Sequence, residues 1–329
     1  MTTRILPFSA AALLALALLA GCSDAGPPPS TAPATAGVRG LPVRPNGDVF
    51  TANAATTKVI LPTGKGLDVQ DDPNPPPRTR YKVEYHPAPV LAGVSDLYII
   101  YYGDWSTPQR TQDVFIISDF LSTLGWSPYF QIAARYPNAS GQAPSSGLLY
   151  GGAAIDRYSH GPTVSDADVA DIVSGQILNG ELPLDPSGIY IVMASPDIAQ
   201  TSGLFDTYCA LHGRAVTLGY PSPYIFVGSP ARSPARCAPQ SVGPNGTLNA
   251  DAAVSHIAAA LFNTITDPTF GAWFDRLGLE PADKCVWTFG ATYTAPNGAR
   301  ANVRLGARDY LLQQLWVPSK TGGECGLHP

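Results

Sequence analysis

Charge is scarce in this chain: only 14% of its 329 residues are Asp, Glu, Lys or Arg, and the formal net charge is -5, with no cluster of Lys and Arg. That composition excludes a nucleic-acid partner, which requires a basic face to displace phosphate counterions. A long apolar run is missing too. The first apolar stretch, Ile5 to Ala20, is shorter than the ~20 residues that cross a bilayer. Ser23, Asp24 and a Pro-rich stretch follow it where a stop-transfer segment would carry basic residues. No Gly-x-Ser-x-Gly turn presents a strained nucleophile, and no glycine-rich loop is shaped for phosphates. A serine hydrolase and a nucleotide-binding enzyme therefore lack their defining turns.

What is present at the N-terminus reads as an export signal. Arg4 precedes the apolar run, which stops at Gly21-Cys22. Leu19-Ala20-Gly21-Cys22 resembles the lipobox of bacterial lipoproteins, in which small residues admit the signal peptidase and the cysteine thiol takes a lipid. Residues 1–21 are thus expected to be a signal peptide and Cys22 the lipid anchor of an exported protein. Two or three acyl chains, each methylene adding ~0.8 kcal/mol, hold such a protein durably on a membrane. Ser23 after the cysteine favours the outer membrane or cell surface. Residues 22–40, rich in Pro, Ala, Thr and Ser, bury too little to offset chain ordering and read as a tether. Four cysteines remain, Cys209, Cys237, Cys285 and Cys325, and an even number in an exported chain favours two disulfides. Three connectivities are open; Cys209 with Cys237 and Cys285 with Cys325 close the more modest loops.

Residues 41–96 read as an irregular extension, with strand-like pieces at Lys58–Leu61 and Tyr81–Tyr85 around a Pro-rich spacer, Asp71 to Pro77. A globular domain, 97–329, opens with the apolar strand Leu97–Tyr102. The spacing predicts a helix over Thr111–Leu124 stopped by Gly125, a strand over Pro128–Tyr136, and a helix over Asp166–Leu178 capped by Ser165. Buried strands are expected at Ile189–Met193 and Tyr224–Val227, with a Cys- and His-bearing loop between them. A further helix, Ala252–Ile265, carries the stripe Val254, Ile257, Ala258, Leu261 and Ile265. This order gives an α/β to α+β class, a mixed β-sheet with packed helices.

Several runs, in order, carry a family resemblance. They are Tyr101-Tyr102-Gly103-Asp104-Trp105, Cys209-x-x-His212-Gly213, Tyr224-Ile225-Phe226-Val227-Gly228, Gly243-Pro244-Asn245-Gly246, Thr266-Asp267-Pro268 and Arg308-Asp309-Tyr310 through Trp316-x-Pro318. Collinear over roughly 97 to 325, they resemble exordium, the phosphate-induced protein family best represented in plant cell walls. The resemblance implies an extracellular protein tied to growth signalling and carbon or phosphate status, with no established reaction. Family members often carry more cysteines around the positions of Cys209 and Cys237, so their disulfide patterns do not transfer.

Some relatives also look to carry His-Glu-x-x-Glu ahead of the Thr-Asn/Asp-Pro motif, similar to zincin metalloproteases. Here those positions are Ala259, Ala260 and Asn263. A methyl group cannot hold zinc, so both the ligand and the general base are gone, and His256 has no partner at the helical offset. The resemblance therefore implies a zincin-like scaffold with a lost metal site, whose old rim would include Asp267, Trp273, Asp275, Glu280 and Asp283. No catalytic residue, metal or cofactor is assigned.

Candidate binding residues are Asp104, Trp105, His212, Asp267, Trp273 and Glu280. Trp105 sits in a loop after a strand, where ligands are commonly met, and sugar rings stack on aromatic planes. The chain is expected to be a non-catalytic envelope lipoprotein that binds a glycan or protein partner through loops at the strand ends. The alternative is a zincin-like metallohydrolase, for which His212, His256 and Glu280 would have to converge on one pocket. A purely structural envelope protein, the third reading, would have no sizeable pocket.

Overall fold

Sequence periodicity accounts for the centre of the molecule directly. The computed structural model describes residues 56–59, 79–206 and 208–329. The expected signal peptide, the expected lipid-anchor residue Cys22, the expected tether and the Asp71–Pro77 spacer lie outside the described residues. Six strands form the main sheet: β1 (Thr56–Val59), β2 (Gly93–Tyr102), β3 (Pro144–Asp156), β4 (Gly188–Ala194), β5 (Ala210–Thr217) and β6 (Tyr220–Val227). Their spatial order is β1-β5-β6-β4-β2-β3. Strands β3, β2, β4 and β6 run parallel; β5 is antiparallel to both β6 and β1. The class is α+β, with a mixed sheet.

Both faces of the central strands are covered, which is why they read as unbroken apolar runs. Leu97, Ile99, Tyr101, Ile189, Ile191 and Met193 point to one face, under helices α1 (Pro108–Leu124) and α3 (Leu248–Thr266). Tyr98, Ile100, Tyr102, Tyr190 and Val192 alternate to the other face, under helix α2 (Asp166–Leu178). Caps start all three helices. Thr107 accepts from Arg110 N ahead of α1, Ser165 and Asp168 form a reciprocal capping box on α2, and Thr247 accepts from Ala250 N on α3. Gly125 is the C-cap of α1, and a Cβ there would lie 2.2 Å from the Leu148 carbonyl oxygen, so the close approach of β3 requires glycine.

Two expectations are corrected. Phe130–Arg135 is a 3₁₀ helix where a strand was expected. Tyr129, Ile132, Ala133 and Tyr136 are all buried at helical spacing, and Ser127 Oγ accepts from Phe130 N at 3.2 Å. The neighbouring strand is β3, whose Gly147, Gly151 and Gly152 dilute its apolar pattern. The loop expected to carry Cys209 and His212 is also largely strand: Ala210–Thr217 turns back into β6 through Leu218 (φ 52°) and Gly219 (φ 82°). Two positive φ angles suit a tight hairpin, but leucine is an unusual residue to supply one, so the turn has no sequence signal. In the 41–96 extension, Thr56–Val59 joins the sheet edge and Val83 enters the core.

Disulfides join Cys209 to Cys237 and Cys285 to Cys325, across 28 and 40 residues. Loop-closure entropy gives each about 3.5 to 4 kcal/mol of stabilisation. Their chemistry is that of an oxidising compartment. Among the described residues, no helix is long and apolar enough to cross a membrane.

Candidate functional site

At the carboxyl ends of the parallel strands, where open α/β sheets bind ligands, the loops after β2 and β4 meet. Gly103 has φ 100°, and a Cβ there would lie 2.1 Å from Ser195 Oγ, so only glycine lets the loops approach. Asp104 accepts from the Ser106 hydroxyl at 2.6 Å, the Ser106 amide at 3.0 Å and Arg110 at 2.9 Å. Those Ser106 bonds, with Arg110 and Arg157 nearby, hold its carboxyl below the usual range. Asp197 accepts from Ser195 Oγ at 2.8 Å and the Tyr158 hydroxyl at 2.5 Å, and pairs with Arg110 at 3.3 Å. Burial would raise its carboxyl, but those bonds outweigh it and the net shift is downward. Tyr158 reaches Asp197 from a left-handed backbone, φ 61°, which costs a non-glycine residue about 1 kcal/mol or more.

This network spends its polar groups on itself. Trp105 turns away from it: the indole is 7% exposed, donates to the Tyr102 carbonyl at 3.1 Å and packs edge-on to Tyr101. Of the two candidates in this loop, Asp104 is at the surface and Trp105 is core.

A second group of candidates is wholly buried. His212 of β5 bonds Glu280 at 3.1 Å under the edge of Phe270. Asp267, past the end of α3, accepts from the Gly271 and Ala272 amides at 2.6 and 2.7 Å and so shapes the turn that follows. Asp283 accepts from Asn263 and from the Glu280 amide. His256 lies elsewhere, bonded to the Cys237 carbonyl at 2.8 Å and edge-on to Trp287. Ala259 and Ala260 are fully buried apolar contacts inside α3. His212, His256 and Glu280 therefore do not converge on one pocket. Among the described residues no group of three or more His, Cys, Asp or Glu side chains is arranged to hold a metal.

Trp273 is the candidate that lines a cavity. Trp273–Phe274 pairs antiparallel with Glu84–Tyr85, which sets the Trp273 and Tyr85 rings 5.4 Å apart at 51°. His86 stacks on Phe274 at 3.7 Å. Tyr85, His86 and Trp273, with Lys82, Glu84 and Lys320, line a cavity of about 660 Å³. Trp273 Nε1 and His86 Nδ1 are buried without a hydrogen-bond partner among the described residues, a cost of about 1–3 kcal/mol each. An adjoining cavity of about 760 Å³ shares Lys82, Pro318, Ser319 and Gly322, so the two form one groove between the 79–86 segment and the hairpin of Leu315–Ser319 and Gly322–Gly326.

Buried chemistry fixes both walls of this groove. Lys284, paired with Asp275 at 2.6 Å and fully buried, also donates to the Tyr81 carbonyl at 2.6 Å. Its neighbour Cys285 holds the hairpin through Cys325. Sequence reasoning found Trp273 but missed Tyr85, His86 and Lys320. Their only signal is proximity to Trp273, which no local pattern encodes.

A family model, the phosphate-induced protein 1 conserved region, matches residues 83–325, from the groove segment through β2 to Cys325. The chain belongs to the phosphate-induced protein 1 family. It is similar to Protein EXORDIUM-like 5 of Arabidopsis thaliana, 26% identical over 72% of this chain and 76% of that one. It is similar also to EXORDIUM-like 3 of the same plant, 27% identical over 71% of this chain and 80% of the relative. Protein PHOSPHATE-INDUCED 1 of Nicotiana tabacum is 26% identical over 72% of this chain and 86% of its own length. No solved structure matches, so the zincin-like layout has no structural counterpart to support it. Both disulfides and the Lys284–Asp275 pair fall inside the matched family region.

Proposed function

We propose that this family member is a non-catalytic, exported lipoprotein of the cell envelope that binds a glycan in the groove at Trp273. The observation that carries this reading is the pairing of Trp273 and Tyr85 at a cavity of about 660 Å³. Ligand clefts typically measure ~300 to 1,000 Å³ and combine aromatic walls with a few polar groups. The apolar face of a pyranose ring stacks on such planes while its hydroxyls seek donors and acceptors. Trp273 Nε1 and His86 Nδ1, both without a partner among the described residues, are suited to meet those hydroxyls after a small shift of either ring. Export and anchoring rest on the lipobox at Cys22 and on the two disulfides.

The test is calorimetric titration of the full chain with a panel of defined oligosaccharides, beside a Trp273→Ala variant. Binding of at least one oligosaccharide, weakened about tenfold or more by the substitution, is the expected result; a stacking plane is worth about that much. Cell fractionation of a Cys22→Ser variant tests the anchor, since its release from the membrane fraction is required. No binding across the panel, with a folded protein, rejects the glycan reading.

A further inference from the structure

We propose that the glycan taken by this groove is acidic, its carboxylates being read by arginines at one end while its rings stack at the other. This inference rests on the glycan reading above. The chain as a whole is short of positive charge, 20 Lys and Arg against 25 Asp and Glu. The two adjoining cavities nevertheless gather Arg80, Lys82, Arg135 and Lys320 on their walls, against Glu84 and Glu324. Lys82 is neutralised by Glu84 at 2.6 Å. Arg80, Arg135 and Lys320 make no ion pair among the described residues, so the groove holds a local cationic excess on an anionic protein.

Aromatic rings and arginines are segregated along the groove, with Lys320 at the aromatic end and Glu324 at the arginine end. Tyr85, His86 and Trp273 line the first cavity; Arg80 and Arg135 line the second. A third arginine, Arg276, lies 4.5 Å over the Tyr81 ring, with Arg80 5.5 Å from the same ring, so both guanidinium groups are held by stacking at that end. Guanidinium forks match carboxylates in a bidentate manner that an ammonium cannot reproduce. A ligand with ring faces and periodic carboxylates, a uronate polymer, complements both ends at once. An anionic bilayer surface would satisfy the arginines but leave the aromatic end, recessed between two walls, without a partner.

The experiment uses the full lipidated chain in detergent and two forms of one ligand, an α-1,4-linked galacturonate oligomer as free acid and as methyl ester. The ester keeps the shape and removes the charge. The free acid is expected to bind about tenfold tighter or more, the weakest return for two charge-assisted hydrogen bonds. That advantage should shrink several-fold between ~0.05 and ~0.5 M salt. The exposed pair Arg80→Gln and Arg135→Gln should erase the preference by bringing free-acid affinity down to that of the ester, whereas Trp273→Ala weakens both forms. Equal affinity for acid and ester, or a neutral oligosaccharide binding better than both, overturns the acidic-ligand proposal and leaves the glycan reading standing. Failure of every oligomer, with a non-lipidated Cys22→Ser chain retained on phosphatidylglycerol vesicles and that retention abolished by the Arg variants, overturns both in favour of a lipid surface.

Discussion

His256 is held neutral in the middle of α3, and replacing it should remove a defined part of the fold's acid sensitivity. Burial pushes its imidazole from the ordinary 6.5 down to about 4, only partly opposed by the bond to the Cys237 carbonyl. An imidazole whose folded value is depressed contributes stability that is present above pH 6.5 and lost as pH falls toward 4, because the unfolded chain takes a proton that the folded one refuses. At pH 4.5 the loss comes to roughly 2–3 kcal/mol, equivalent to a Tm drop of roughly 5–10 °C for a domain of this size.

Asp251, five residues earlier on the same helix, acts in the opposite direction. Burial raises its carboxyl to about 6, so its ionisation destabilises the fold above that pH, by on the order of 3 kcal/mol, and the penalty is relieved as pH falls toward 4. The two effects offset one another in the native chain. His256→Gln, whose amide can still donate to Cys237, is therefore expected to lose roughly 5–10 °C less than wild type between pH 7 and 4.5. Asp251→Asn is expected to lose more than wild type by a similar amount. Thermal unfolding followed by circular dichroism at both pH values reads this, and identical acid-induced drops in all three proteins would refute the reasoning.

Two further predictions concern the walls of the groove. Lys284→Met should leave Asp275 as a buried, unpaired charge and cost about 3–5 kcal/mol in urea unfolding, most of it recovered in the Lys284→Met, Asp275→Leu double variant; an equal loss in both would show that the pair itself is not the source. Removing the Cys285–Cys325 bridge with two serines should cost up to about 4 kcal/mol and raise amide exchange across 315–326 more than elsewhere, and unchanged exchange in that hairpin would show that it is held by other contacts.

How much of this was legible can be followed element by element. Helix α2 was found to the residue because Ser165, Asp168 and an apolar stripe are all local signals. Helix α3 was found as well, but its burial was not. The sequence shows a stripe on one face, whereas the segment through Asp283 and Gln313 closes over the other, where Asn263 and Ser255 bond to it. That covering explains why Asp251, His256 and Asn263 can sit inside a helix without solvent. The strand β5 escaped notice because Leu218 and Gly219 do not announce a hairpin.

The sequence by itself determined the buried strands, the three helices (with the cap of α2 but not the first turns of α1 and α3), the favoured cysteine pairs and the family, since each is written in contiguous residues or in their order. The tertiary structure alone decided which candidates could meet a ligand. It turned Trp105 into the core, closed His212 onto Glu280, and left Trp273 at a groove. The physical reason is distance along the chain: the walls at 79–86 and 315–326 are far apart in sequence, and contacts such as the Lys284–Asp275 pair, the Cys285–Cys325 bridge and the pairing of Glu84–Tyr85 with Trp273–Phe274 hold them in place.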